Sequence, residues 1–130
     1  DEVWVTNGVY ALTNQVVISN AIAVVGVSGY SNTLVYADWP AYTTRCFYVA
    51  NTGIVDGFTV SNGHEFTTMG GAGIYATTNA LIRNCFLVAN MQSNTTSNSG
   101  GGGICANKGS IVSDCRVVGN RVFVNWQAGA

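Results

Sequence analysis

Four sets of side chains in this 130-residue chain have the chemistry to react or to recognise a ligand. The first is the cysteines, Cys46, Cys85, Cys105 and Cys115. They lack the close pairing of a zinc site, and with one histidine in the chain no metal is expected. The second is His64-Glu65, within the polar segment Ser61–Ala72. A histidine beside a carboxylate is acid–base material, but glycoside hydrolysis needs two carboxylates flanking one bond. Asp56 and Asp38 lie in other segments, and no paired motif is visible. The third is a set of cations, Arg83, Lys108, Arg116 and Arg121. A polysaccharide lyase would use such a cation to steady a carboxylate while a base removes a proton. The fourth is aromatic. Trp39 and Tyr42 flank Pro40 in Ala37–Thr44, and Phe66 follows His64. Rings beside neutral amides and hydroxyls can stack on sugar and hydrogen-bond to it. The glycine run Gly100–Gly103 is not a phosphate loop, because Lys108-Gly109-Ser110 has the wrong order.

Composition narrows the class. Charged residues make up 8% of the chain, against roughly 25% in an ordinary soluble domain. Apolar residues make up 48%, which argues against disorder. Five scattered cations cannot form the basic stripe that nucleic acid requires. The Glu and Lys that normally cover exposed helix faces are replaced by Asn, Thr, Ser and Gly. No apolar run approaches the roughly 18 residues of a membrane span, so no transmembrane segment is expected.

The elements that must position these side chains emerge from internal repetition. Gly73-Ile74-Tyr75-Ala76 recurs as Gly103-Ile104-Cys105-Ala106, and ALIRNCFLVAN (Ala80 to Asn90) recurs as SIVSDCRVVGN (Ser110 to Asn120), both 30 residues on. A looser copy, Cys46 to Gly63, aligns at 27 residues and sets Phe47 against Ile74, Ile54 against Leu81 and Phe58 against Cys85. A fourth copy within Ala11–Gly29 has uncertain register. Short runs rich in Val, Ile, Tyr and Phe at alternate positions read as strands. Three such strands per copy, wound once around a flattened cylinder, stack coil on coil at about 4.8 Å. Equivalent residues then form ladders: Phe47, Ile74 and Ile104 in one slot, Phe58, Cys85 and Cys115 in another. Gly57, Asn84 and Asp114 precede the second ladder, all residues that tolerate a left-handed turn. Asn51-Thr52-Gly53, Thr78-Asn79-Ala80 and Lys108-Gly109-Ser110 form a second turn slot. Cys85 and Cys115 are either a disulfide or redox pair, or buried thiols acting as small apolar side chains. Phe58 in the same slot favours the second reading.

The blocks GGAGIYATTNALIRNCFLVAN and GGGICANKGSIVSDCRVVGN resemble the repeats of right-handed parallel β-helix proteins of the pectate-lyase-like superfamily. The opening, VWVTNGVYALTNQVVISNAIAVVGVSGYSNTLVYA, is similar to the first coils of many such proteins. The GGxGI and IxNCxxxxN elements are most similar to bacterial surface repeats of the polymorphic outer-membrane and adhesin type. Asn62-Gly63-His64 is faintly similar to a Gly-His-Gly element of β-helix glycoside hydrolases. The resemblance implies an extracellular or cell-surface setting. It leaves activity open, because the fold hosts lyases, hydrolases, adhesins and stalks. Lyases of this fold bind calcium through several carboxylates, and six in the whole chain make such a site hard to build.

The expectation is therefore an all-β, right-handed parallel β-helix of about five coils, one domain over residues 1–130. Its last coil reads as incomplete, as if cut from a longer solenoid. The function expected is a non-catalytic surface or structural, adhesin-like module without cofactor. Its partners would be a glycan or another surface protein, contacted through Trp39, Tyr42, His64 and Phe66. The loops Ser61–Ala72 and Asn90–Gly100 should share one edge, and Arg83 and Arg116, one position off equivalence on neighbouring coils, one face. Alternatives are a segment of a polysaccharide lyase or glycoside hydrolase, or a solenoid stacking end to end into a filament through open strand edges. Asn94-Thr95-Thr96 matches a glycosylation sequon. The threonine pairs at 43–44, 67–68, 77–78 and 95–96 share no slot, which argues against ice binding.

Overall fold

The computed structural model describes residues 1–94 and 100–124. The sequon at 94–96 and the tail beyond residue 124 therefore lie wholly or partly outside the described residues. Within them there is no helix, and every strand pairing is parallel. The first coil is β1 (Glu2–Val5), β2 (Gly8–Leu12) and β3 (Val16–Ile18). The second is β4 (Ala23–Gly26), β5 (Thr33–Ala37) and β6 (Phe47–Val49). The third is β7 (Ile54–Asp56), β8 (Thr59–Ser61), β9 (His64–Glu65) and β10 (Ile74–Ala76). The fourth is β11 (Leu81–Arg83), β12 (Phe86–Val88), β13 (Met91–Asn94) and β14 (Ile104–Ala106). A fifth turn begins with β15 (Ile111–Ser113), β16 (Arg116–Val118) and β17 (Arg121–Val124). The result is a parallel β-solenoid of about four turns with part of another.

Like strands of successive coils stack into four sheets. The first face runs β1-β4-β7-β11-β15, the second β2-β5-β8-β12-β16, the third β3-β6-β10-β14 and the fourth β9-β13-β17. The ladders expected from the repeats are the observed registers: Phe47 pairs with Ile74 and Ile74 with Ile104, and Ile54 pairs with Leu81 and Leu81 with Ile111. The uncertain upstream copy resolves differently. Glu2 pairs with Ala23 and Val16 with Phe47, spacings that match neither of the later repeats. Two longer connections, residues 27–32 between β4 and β5 and the inserted segment between β5 and β6, absorb the difference.

Inward side chains alternate with outward ones, as the pleat requires. Val55, Ile82, Val60, Leu87, Phe58, Cys85, Phe47, Val49, Ile74 and Ala76 form one contiguous, fully buried core. Each large side chain so buried contributes about 1.5–3 kcal/mol. The core opens at the first coil, where Val5, Tyr10, Leu12, Val16 and Val24 line an apolar hollow of about 500 Å³. The turn slots have the expected backbone. Gly57, Asn84 and Asp114 have φ of 82°, 51° and 52°, and Asn51, Thr52, Thr78, Asn79 and Lys108 are left-handed as well. A third left-handed slot, Asn62, Ala89 and Gly119, was not foreseen.

Two expectations need correction. Coils do not all have three strands. His64-Glu65 and Met91–Asn94 lack apolar alternation and read as loop, yet Met91 pairs with His64 and Arg121 with Met91. The backbone of the adjacent coil makes them strands, a signal no side-chain pattern carries. Nor do Arg83 and Arg116 share a face. Arg83 pairs with Asp56 and Ser113 on the first face, while Arg116 pairs with Phe86 on the second, beyond the Asn84/Asp114 bend.

Candidate ligand groove

The inserted segment and the third coil converge at one corner. Asn62, in its left-handed turn, donates from Nδ2 to the carbonyls of Ala37 (2.8 Å) and Trp39 (3.2 Å). His64 N donates to Thr44 O at 2.9 Å. The insertion, which contains the cis Trp39-Pro40 peptide, is thus tied down at both ends. Trp39 then meets His64 edge-on, with ring centroids 3.7 Å apart, and Phe66 at 6.3 Å. His64 and Phe66 rings lie 4.6 Å apart. Three of the four aromatic or imidazole groups expected to bind ligand are therefore brought together. Tyr42 is not: it is exposed and makes no ring contact among the described residues.

The cluster borders a groove of about 260 Å³ lined by Trp39, Asn62, His64, Asn90, Met91 and Arg121. Phe66 does not itself line the groove but touches Trp39 and His64, which do, and is 53% exposed, so an apolar ring face is open to solvent. Behind the groove runs an asparagine ladder. Asn90 is fully buried; its Oδ1 accepts from Gly63 N at 2.9 Å and its Nδ2 donates to Val60 O at 3.0 Å and to Asn120 Oδ1 at 2.8 Å. Asn120 repeats the pattern one coil on, with Nδ2 donating to Leu87 O at 2.8 Å. Each side-chain amide thereby satisfies backbone groups that the corner would leave orphaned. The two asparagines close the repeated blocks of the sequence, but their structural role was not read from it.

His64 is 3% exposed. Its Nε2 lies 3.0 Å from Ser93 Oγ, while Nδ1 is buried without a partner. Burial pushes its pKa below the ordinary histidine value, and the Glu65 carboxylate only partly opposes this. A neutral ring protonated at Nε2 and donating to Ser93 leaves only a lone pair unpaired.

Glu65 does not face the groove as a free acid. Its Oε1 accepts from Phe66 N (2.9 Å) and Thr67 N (3.0 Å), and its Oε2 lies 3.2 Å from Arg45 Nη2. Arg45, 4% exposed, also donates from Nε to Gly71 O (3.1 Å) and from Nη2 to Gly70 O (2.9 Å), and sits 5.4 Å from the Tyr75 ring centroid. This knot folds the loop that carries Phe66. Arg45 escaped the sequence reading because it lies outside the repeated blocks; a cation between an insertion and a strand in so charge-poor a chain was the available signal.

The other candidate cations are dispersed. Arg83 binds Asp56 (2.7 Å) on the first face, and Arg116 lies over Phe86 on the second. Lys108 occupies a turn, and Arg121 is on the fourth face. They do not form the single charged cluster a lyase site needs. Among the described residues no three His, Cys, Asp or Glu side chains gather as metal ligands, and no helix is long and apolar enough to cross a membrane.

Fold and groove together define a parallel β-solenoid bearing an aromatic and amide-lined groove on one corner. Comparison with family models, curated proteins and solved structures gives no match for this chain.

Proposed function

We propose that this protein is a non-catalytic extracellular or cell-surface β-helix module, adhesin-like, that binds a glycan through the Trp39–Phe66 groove. The observation that carries the reading is convergence. Trp39 from the insertion and His64 and Phe66 from the third coil meet beside the amides of Asn62 and Asn90. An exposed ring face beside a polar-walled groove suits a sugar, and a corner whose amides are spent on internal hydrogen bonds presents that face with little ordering cost. The pectate-lyase-like resemblance of the repeats supports the surface setting. The acid–base alternative is weakened by geometry: Glu65 and Asp56 are each held by an arginine.

A glycan array probed with the intact chain tests the proposal. Retention of a carbohydrate should be lost in Trp39→Ala and Phe66→Ala and kept in Tyr42→Ala. No retained glycan, or equal loss in all three variants, would leave a scaffold without this binding function.

A further inference from the structure

Cys85 and Cys115 occupy one slot in adjacent coils, at the bend between the first and second faces. Arg116 N donates to Cys85 O at 2.9 Å, the parallel-ladder bond that sets the two cysteines side by side. Adjacent parallel strands are about 4.8 Å apart, inside the Cα separation of roughly 4.4–6.8 Å that a disulfide spans. Both thiols are free. Each donates to a carbonyl two residues back, Cys85 to Arg83 O at 3.1 Å and Cys115 to Ser113 O at 3.2 Å, so the two side chains have the same orientation. They differ in access: Cys85 is fully buried, while Cys115, in the last described coil, is partly open. Cβ atoms in a disulfide approach to about 3.8 Å, so closure requires one coil to give slightly.

We propose that Cys85 and Cys115 form an oxidisable pair that closes, by thiol–disulfide exchange with a low-molecular-weight disulfide, into a bridge between the fourth and fifth coils. The Cys115 thiolate attacks one sulfur of the external disulfide and expels the first thiolate, leaving a mixed disulfide on Cys115. The Cys85 thiol, losing its proton to solvent, then attacks Cys115 Sγ and expels the second thiolate. Two electrons pass from the protein thiols to the external disulfide, and two protons are released. The order of attack follows from access and from chemistry. Hydrogen bonding from Cys85 pulls the Cys115 thiol below its ordinary pKa, while that same contact and burial push Cys85 up. Cys46 is the internal contrast: burial raises it to about 12, and it has no thiol neighbour in the stack. The inference is independent of the glycan reading.

The experiment is exposure of the intact, folded chain to oxidised glutathione, followed by alkylation and peptide mapping. The expected product links the Cys85 and Cys115 peptides with the loss of two hydrogens and no glutathione on either, while Cys46 stays a thiol. Cys85→Ser should trap glutathione on Cys115, and Cys115→Ser should leave Cys85 unmodified. The proposal is overturned if Cys115 in the unaltered chain remains a thiol or stops at the glutathione adduct. Bridging that appears only after denaturation overturns it equally.

Discussion

The inward stack of Phe58, Cys85 and Cys115, in the third to fifth coils, and the corner at Trp39, His64 and Arg45, in the second and third, adjoin in one solenoid and follow opposite rules. The stack repeats: from the third coil to the fifth each offers an equivalent apolar position, and neighbours bury one another. The corner does not repeat. Arg45 has one carboxylate, two carbonyls and one ring of the third coil as partners, together with the Gln15 side-chain amide oxygen, and none of these contacts recurs one coil on. Repetition makes the stack tolerant, because what a slot requires is a size and a lack of polarity. Single-copy polar contacts make the corner exacting, because each partner is irreplaceable. A groove built on the corner is therefore separable from the scaffold that carries it.

Substitutions can break that contrast, beginning with the largest effect. Arg45→Ala leaves Glu65 partly buried without its counter-charge and should cost about 4 kcal/mol in chemical denaturation. Arg45→Lys should recover little of this, since an ammonium cannot reproduce the guanidinium fork. In the stack, Ile82→Ala should cost about 3 kcal/mol through the cavity it opens, whereas Ile82→Val should cost only about 1. If Arg45→Lys were tolerated as well as Ile82→Val, the two regions would not differ as described.

A smaller effect concerns pH. His64 is held neutral by burial, with its pKa below the ordinary value. As pH falls below the ordinary histidine range, the unfolded chain takes up this proton first. Stability should therefore be complete above that range and decline until His64's own lower pKa is reached. His64→Gln should flatten that part of the pH–stability profile; an unchanged slope would contradict it. Smallest is Ala89→Gly. Ala89 holds φ of 56° in the slot that Gly119 fills one coil on. Relief of the left-handed strain, offset by a freer unfolded chain, should raise stability by about 0.5–1 kcal/mol in thermal unfolding.

The stack was legible in the sequence and the corner largely was not. In a solenoid the residue above is the residue one repeat later, so the spacing of Ile74 and Ile104 or of Asn84 and Asp114 is already a contact map. Nothing similar exists for the insertion. Trp39 and Phe66 were recognisable as ring donors from residue type alone, but their meeting depends on Asn62 holding the Trp39 carbonyl. Tyr42 looked equivalent and is not, because no such tie brings its ring over the third coil. Glu65 looked like an acid and is a loop fastener, since the backbone amides of Phe66 and Thr67 reach it first. The fourth face was invisible because polar strands such as β9 are defined by the coil above them.

Amide hydrogen exchange of the intact chain, with and without an oligosaccharide retained on the array, tests the central claim most directly. The account predicts added protection at residues 62–67 and 89–93, and none in β11 or β15 on the first face. Protection confined to the first face, or none at the corner while carbohydrate is bound, would contradict it.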